Sequence, residues 1–470
     1  MKTAIILAAG LGTKMWPFAE IRPKAMIPVA AKPIIAHQVE SLQELGFTKI
    51  IIVGGKLHGQ IRNYFRENGP SSAGARQEVD VIVVADEKGQ GTALSLSAAR
   101  TAAGNEGSFL VLYGDTLIDP ADIKQLMASF EQRAERELAV VLVNPLHEQS
   151  SSDWICCQLE GGFVRHILGH PRGGCTHRFC AFAFSDDFWS YASSNSGLFT
   201  SVQVGMMPPL EAHLEMSLLD CMNDGYAVRA VETTGDFVDL DKPWHILLAN
   251  ELVARRNCAK LTCNVLAEGA SIDPSAAIDG FVQLGVGSRI GRNVIIEGNI
   301  IVGDRTVIEN GAILKGSHII GNDSNIGNYC FLSEGTTVGD HCVINHCAEL
   351  EGVIFDTVYL YHYMEFYGVI GTSTDLGAAT VCGTLRFDDG RTSHRIKGRK
   401  ETPSEHSDAI YLGDFVRTGV NAILMPGVKV GVYSIVGSGV ILEEDVPNRS
   451  LLYVKQDLVR KEWGPAKYGW

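Results

Sequence analysis

The run VQLGVGSRIGRNVIIEGNIIVGDRTVIENGAILKGSHIIGNDSNIG (residues 282–327) repeats a six-residue phrase built around one aliphatic residue. On both sides of it, Leu266, Ile272, Ile278, Leu284, Ile290, Ile296, Val302, Ile308, Leu314, Ile320, Ile326, Leu332, Val338, Ile344 and Leu350 stand six apart without a miss. A helix of about 3.6 residues per turn would smear such a set around its surface. A six-residue period suits a triangular β-solenoid, in which each side is a short strand and the aliphatic residue points inward. Gly follows the aliphatic position at Gly285, Gly291, Gly303, Gly321, Gly327 and Gly339, which we read as supplying the freedom each corner needs.

The register breaks in GVIFDTVYLYHYM and resumes two residues out of phase at Ile370 and Leu376. A polar excursion over about 386–409 follows, and coils return at Leu412, Leu424, Val430, Val436 and Leu442. The last segment, SLLYVKQDLVRKEWGPAKYGW, is expected to pack on the solenoid end as a cap.

Before residue 260 the grammar differs. AIILAA, KIIIVGG, VDVIVVA, SFLVLYGD and LAVVLV read as buried parallel strands; AHQVESLQELG, GTALSLSAARTA and PADIKQLMASFEQRAER read as helices. The alternation implies βαβ units in an α/β, doubly wound sheet with ligands at the carboxyl ends of its strands. The chain of 470 residues then divides as 1–242, a linking helix over 243–260, the solenoid over 261–450 and the cap over 451–470.

Apolar residues make up 46% and charged residues 20%, as in ordinary globular chains. The net charge of −14 argues against a nucleic-acid partner, which needs a broad basic face. No stretch approaches a membrane span. The opening MKTAIILAAG reads as a first buried strand and not as an export signal, because its apolar run is brief and enters GLGTK. The eleven cysteines lack the spacing of a disulfide framework, so we expect reduced thiols in a cytoplasmic protein.

The stretch LAAGLGTKMWPFAEIRPK (7–24) lacks both the third Gly of a dinucleotide turn and the GKS or GKT of a P-loop. Gly10 and Gly12 would let backbone amides approach a phosphate, with Lys14 as a local cation. Taken with the P-V and K-P that follow, GQGTA (89–93), LYGD (112–115) and FVDLDKP (237–243), the stretch resembles the signature of the sugar-1-phosphate nucleotidylyltransferases. That resemblance implies in-line attack of a sugar phosphate oxygen on the α-phosphorus of a nucleoside triphosphate, with pyrophosphate leaving. It places Ala8, Gly10, Gly12 and Thr13 around the nucleotide, Lys24 at the reacting phosphates and Lys14, where relatives carry Arg, on the pyrophosphate. Asp115 and Asp239 would bind a divalent ion, Mg²⁺ by chemistry. Gly91 and Thr92 resemble the turn that reads a pyrimidine, and Asp86 could accept its N3–H, so UTP or dTTP is the expected donor.

The sugar end departs from that pattern. Gly169, His170 and Pro171 replace E-K-P, Arg178 stands at an Asn position, and the usual Y-G segment is DWICCQ around Trp154. His170 and Arg178 read either as substitute phosphate ligands or as ordinary residues of a diverged pocket. The nearby Cys156, Cys157, His166, Cys175, His177 and Cys180 lack regular zinc-ligand spacing and read better as buried thiols.

Joined to such a domain, the solenoid resembles the left-handed β-helix of the bifunctional enzymes that acetylate glucosamine-1-phosphate and then uridylylate it, the archaeal type above all. DLGAATVCGTLRFDDG (375–390) and YLGDFVRTGVNAILMPGVKVG (411–431) carry the match. The resemblance implies a homotrimer, acetyl-CoA as cosubstrate and a His base, for which strict spacing offers Tyr361 and a one-residue slide offers His362. His362 therefore stands open between base and corner residue. Arg386 and its basic neighbours through Lys400 read as a solvated face or as a clamp for CoA or sugar phosphate. N-acetylglucosamine-1-phosphate or glucose-1-phosphate is the default substrate, and a nucleotide-sugar-binding regulatory subunit is the alternative.

Overall fold

TAIILA becomes the strand Thr3–Ala8, buried at every residue because both faces of the sheet are covered. A computed structural model describes residues 1–68, 79–89, 91–104, 107–146, 153–171, 174–195 and 211–465. Thr3–Ala8 pairs in parallel with Lys49–Gly54 and Phe109–Tyr113, and Asp80–Ala85 extends the sheet beyond Lys49–Gly54. Ile5 and Leu7 face a core that includes helix Thr92–Ala103. Ala4 and Ile6 face another, closed by helices Ile34–Glu44 and Pro120–Glu131. This is the expected doubly wound arrangement.

One part differs. His177–Phe184 runs antiparallel between Phe109–Tyr113 and Ala139–Pro145, so LAVVLV has a parallel neighbour only in Val228–Glu232. A continuous apolar run reports burial on both faces, and it carries no record of its neighbours' direction.

In the second half the strands up to Ile344 pair in parallel with the strand 18 residues before or after: Leu284 with Val302, Ile290 with Ile308, Ile296 with Leu314. Three hexapeptides therefore make one triangular coil, and the aliphatic positions form a single axial core. The glycines after them do not bend the chain as expected. A Cβ at Gly285 would lie 2.5 Å from the Gly303 carbonyl carbon of the next coil, so these glycines allow close stacking. The left-handed corner conformation falls later in the phrase, at Asn293, Arg305, Asp323 and Tyr329. Asn and Asp beside the stacked glycines are used too. Asp304 accepts from Val286 N–H, Asn322 from Asp304 N–H and Asp340 from Asn322 N–H, at 2.8, 2.8 and 2.6 Å.

The broken register is a shortened coil. Asp340 and Asp356, and Gly352 and Gly368, pair 16 residues apart, because two corner residues are missing between Phe366 and Ile370 and, before them, two between Leu350 and Ile354. The strand Glu349–Ile354 then runs straight through that corner and pairs with two successive strands. After Ile370 the next coil lies 42 residues on, and the excess forms the insertion with its hairpin His394–Ile396 and Arg399–Glu401.

The halves share one core. Phe18, Ile27 and Leu240 pack with the linking helix Trp244–Cys258 and with Phe355, Val369 and Tyr411 of the solenoid. Asn250 of that helix accepts from Ala30 N–H at 2.7 Å and from Thr337 Oγ1 at 2.8 Å, which joins both sides. The expectation of a packed tail fails over the described residues. After Leu451–Leu452 the segment to 465 lies almost wholly at the surface, with Leu458 85% exposed. Among the described residues, no helix is long and apolar enough to cross a membrane.

Candidate functional site

Three parallel strands deliver residues to one edge of the sheet. The loop with Gly10 and Gly12 leaves Thr3–Ala8, Asp115 follows Phe109–Tyr113, and Asp86 follows Asp80–Ala85. This is where strand carboxyl ends place ligands in such sheets. Asp239 arrives on Phe237–Asp239, which pairs with Thr116–Ile118 so that Thr116 faces Asp239, and Leu240 N–H donates to Asp115 O at 2.9 Å.

Gly12 closes the loop. Its φ is +63°, and a Cβ there would come within 3.0 Å of Ala19 Cβ and 3.2 Å of Lys24 Cβ. The two lysines are thereby turned onto the acidic cluster. Lys24 Nζ lies 2.7 Å from Asp115 Oδ2 and 3.8 Å from Asp239 Oδ1, and Lys14 Nζ lies 3.0 Å from Asp241 Oδ2. Arg178 Nη1 comes to 3.9 Å from Asp239 Oδ2, its guanidinium held between the Trp154 and Phe237 rings. Arg178 is buried, and its Nε has no partner. Among the readings of Arg178, an ordinary surface residue is therefore excluded.

Burial governs the electrostatics. It pushes the Asp239 carboxyl up to about 7, with Asp115 adding to it and Lys24 and Arg178 opposing. For Lys24, burial would lower the pKa, but Asp115, Asp239 and Asp241 together raise it above the ordinary lysine value. Burial would likewise raise Asp241, yet Lys24, Lys14 and Lys242 hold it below the usual carboxylate range. A carboxyl as reluctant to ionise as Asp239, beside Asp115, is a donor set that a divalent cation would satisfy. Among the described residues no three His, Cys, Asp or Glu side chains form a metal cage, so phosphate oxygens and water would supply the remaining ligands.

Other expected residues have protein contacts of their own. Asp86 accepts from Ser95 Oγ at 2.6 Å and from Gly89 N–H at 3.3 Å, and Thr92 Oγ1 accepts from Leu214 N–H at 2.8 Å. His170 is tied by its N–H to Trp154 O at 3.0 Å. Cys156, Cys157 and Cys180 are buried thiols. Arg386 forks onto Asp388 at 2.8 and 2.7 Å, at the surface. His362 stacks on His346 of the preceding coil, rings 5.0 Å apart and 15° from parallel, with Tyr363 edge-on.

Asp241, Lys242 and Arg22 escaped the sequence reading. The repeated acid–base spacing of FVDLDKP was the available signal for the first two; nothing local marks Arg22. Lys242 is almost wholly buried among Asp153, Asp241 and Glu401.

Comparison with known proteins agrees with this assembly. A nucleotidyl transferase family model matches residues 3–152, and a GMPPB C-terminal domain model matches residues 261–357. The bifunctional protein GlmU of Methanococcus maripaludis (strain S2) is 30% identical over 460 residues, covering 97% of this chain and 98% of its own. That of Methanococcus vannielii is 28% identical, covering 98% and 99%. The bifunctional sugar-1-phosphate nucleotidylyltransferase/acetyltransferase of Sulfurisphaera tokodaii is 25% identical, covering 94% and 98%. With its two halves in the same order over nearly their whole length, the chain belongs to the GlmU family of bifunctional proteins.

Proposed function

We propose that the N-terminal half transfers a nucleotidyl group from a nucleoside triphosphate, UTP or dTTP, to a sugar-1-phosphate and releases pyrophosphate. The observation that carries this is the convergence of Lys24 and Arg178 on Asp115 and Asp239, with Lys14 on the adjoining Asp241, from four separate segments. A phosphate monoester is already an anion and needs no general base; the protein must bring two polyanions together and offset their repulsion. Lys24 turns from Asp115 to the reacting phosphates, and Lys14, kept in place by Asp241, meets the departing pyrophosphate. Arg178, with a free buried N–H, takes the sugar phosphate. Asp115 and Asp239 would hold Mg²⁺, which would supply positive charge to offset that of the phosphates.

A second activity, acetylation of glucosamine-1-phosphate from acetyl-CoA, is favoured by the stacked His346–His362 pair and by the relatives' names. His362 is the base in that reading, and Arg386 binds phosphate beside a cavity of about 420 Å³ lined by Leu385, Phe387 and Met425. Free thiols suit the cytoplasm, and exposed aliphatic and aromatic residues on the β-helix suit a homotrimer.

The test is pyrophosphate release from the full chain with Mg²⁺, across four nucleoside triphosphates and a panel of sugar-1-phosphates, glucosamine-1-phosphate with and without acetyl-CoA included. Release with one pair is expected. Binding without release from any pair would refute catalysis and favour a regulatory subunit.

A further inference from the structure

The insertion of the solenoid reaches the first half's site. Its hairpin strand Arg399–Glu401 borders a cleft of about 650 Å³ whose other wall includes Trp154, Lys242 and Trp244. Across it, Lys242 Nζ lies 2.7 Å from Glu401 Oε2, 3.2 Å from Asp241 Oδ2 and 3.3 Å from Asp153 Oδ2. Arg399 closes the group, 3.0 Å from Asp153 Oδ1. Lys14 meets the same Asp241 oxygen that Lys242 does.

We propose that Glu401, from the β-helix insertion, is a positioning residue for nucleotidyl transfer, acting on Lys14 through Lys242 and Asp241. This inference rests on the function proposed above. Two ammonium groups compete for one oxygen of Asp241, so its place depends on where Lys242 is pinned. A lysine ends in a compact charge on a flexible stem, and its position is set by the carboxylates around it. Glu401 makes the shortest of these contacts and draws Lys242 away from Asp241. Without that pull, Lys242 moves onto Asp241 and takes the carboxylate off Lys14, which then meets the leaving pyrophosphate out of line. Binding need not suffer, because losing a negative charge near the site does not repel a polyanion. The signature is a fall in kcat with KM for the nucleoside triphosphate unchanged or lower.

The experiment compares full-length wild type, Glu401→Gln, Glu401→Asp and Glu405→Gln in steady-state pyrophosphate release, with thermal midpoints measured alongside. Glu405 lines the same cleft and controls for simple loss of charge. We expect Glu401→Gln to lose about tenfold in kcat, the scale of one charge-assisted hydrogen bond, without a rise in KM. Glu401→Asp should recover part of the loss, and Glu405→Gln should match wild type. If Glu401→Gln does not fold, a kcat for Glu401→Asp equal to wild type overturns the inference, and a lowered one supports it. A kcat for Glu401→Gln within about twofold of wild type, or an equal loss in Glu405→Gln, overturns this inference alone. No release by wild type with any pair overturns it together with the function.

Discussion

Arg22 sits between the two lysines in the chain and points away from both. It pairs with Asp414 of the solenoid, donates to Thr372 Oγ1 at 3.1 Å and lies over the Phe355 ring. Arg22→Ala would leave Asp414, wholly buried, with the Thr372 N–H at 2.7 Å on one oxygen and nothing on the other. Breaking a buried pair from one side costs about 3–5 kcal/mol. The surviving N–H bond puts this site at the lower end, and the lost stacking adds about 0.5–1 kcal/mol, so we expect about 3.5–4 kcal/mol. Asp414→Asn in the same chain removes the stranded charge and should recover about half of that. The assay is urea unfolding of wild type, both single variants and the double variant, read by tryptophan fluorescence, with kcat measured in parallel. Because Trp16 also bonds the solenoid, at Asn448 Oδ1 (2.9 Å), the whole lysine-bearing loop should loosen and kcat should fall with stability. A loss below about 1 kcal/mol, or strict additivity in the double variant, would refute the claim that this pair latches the loop.

Three further outcomes follow from the same geometry. Asp115→Asn removes the anion that holds Lys24 and one ligand of the expected cation; turnover should drop at least about a hundredfold while nucleotide binding, followed by calorimetry, persists. Gly368 has φ +138°, and a Cβ there would lie 1.9 Å from Ile410 O, so Gly368→Ala should cost more than about 3 kcal/mol and lower the thermal midpoint; an unchanged midpoint would show that the shortened coil is not this tight. Burial holds His37 down to about 3, and His318 and His394 to about 4. Between pH 6.5 and 4 the unfolded chain therefore binds protons that the folded chain refuses, and stability should fall with falling pH by up to about 1.4 kcal/mol per unit per histidine. A thermal midpoint flat across that window would count against these neutral, buried rings.

Much of the fold is legible because its interactions repeat locally. In the solenoid each aliphatic residue has its own counterpart as partner in the next coil, so a period in the sequence is a period in space. Lys14, Lys24, Asp115 and Asp239 are brought together from sequence only through the family resemblance of the motifs that carry them. The apparent loss of register at 351–364 misled only in appearance; two residues are absent at each of two corners and the core positions continue through Ile354, Leu360, Phe366 and Ile370.

The sequence by itself therefore determined the two architectures and their order, and the family resemblance of its motifs pointed to Lys14, Lys24, Asp115 and Asp239 as candidates for the first site. Tertiary structure alone decided the antiparallel strand His177–Phe184, the stacking role of the solenoid glycines and the exposed tail. It also decided that Glu401 and Asp414, far along the chain, close on Lys242 and Arg22. The physical reason is separation. Periodicity and local motifs record what a residue does with near neighbours or with its own repeat, whereas an ion pair between two independently patterned halves depends on how they dock, and no local pattern encodes that.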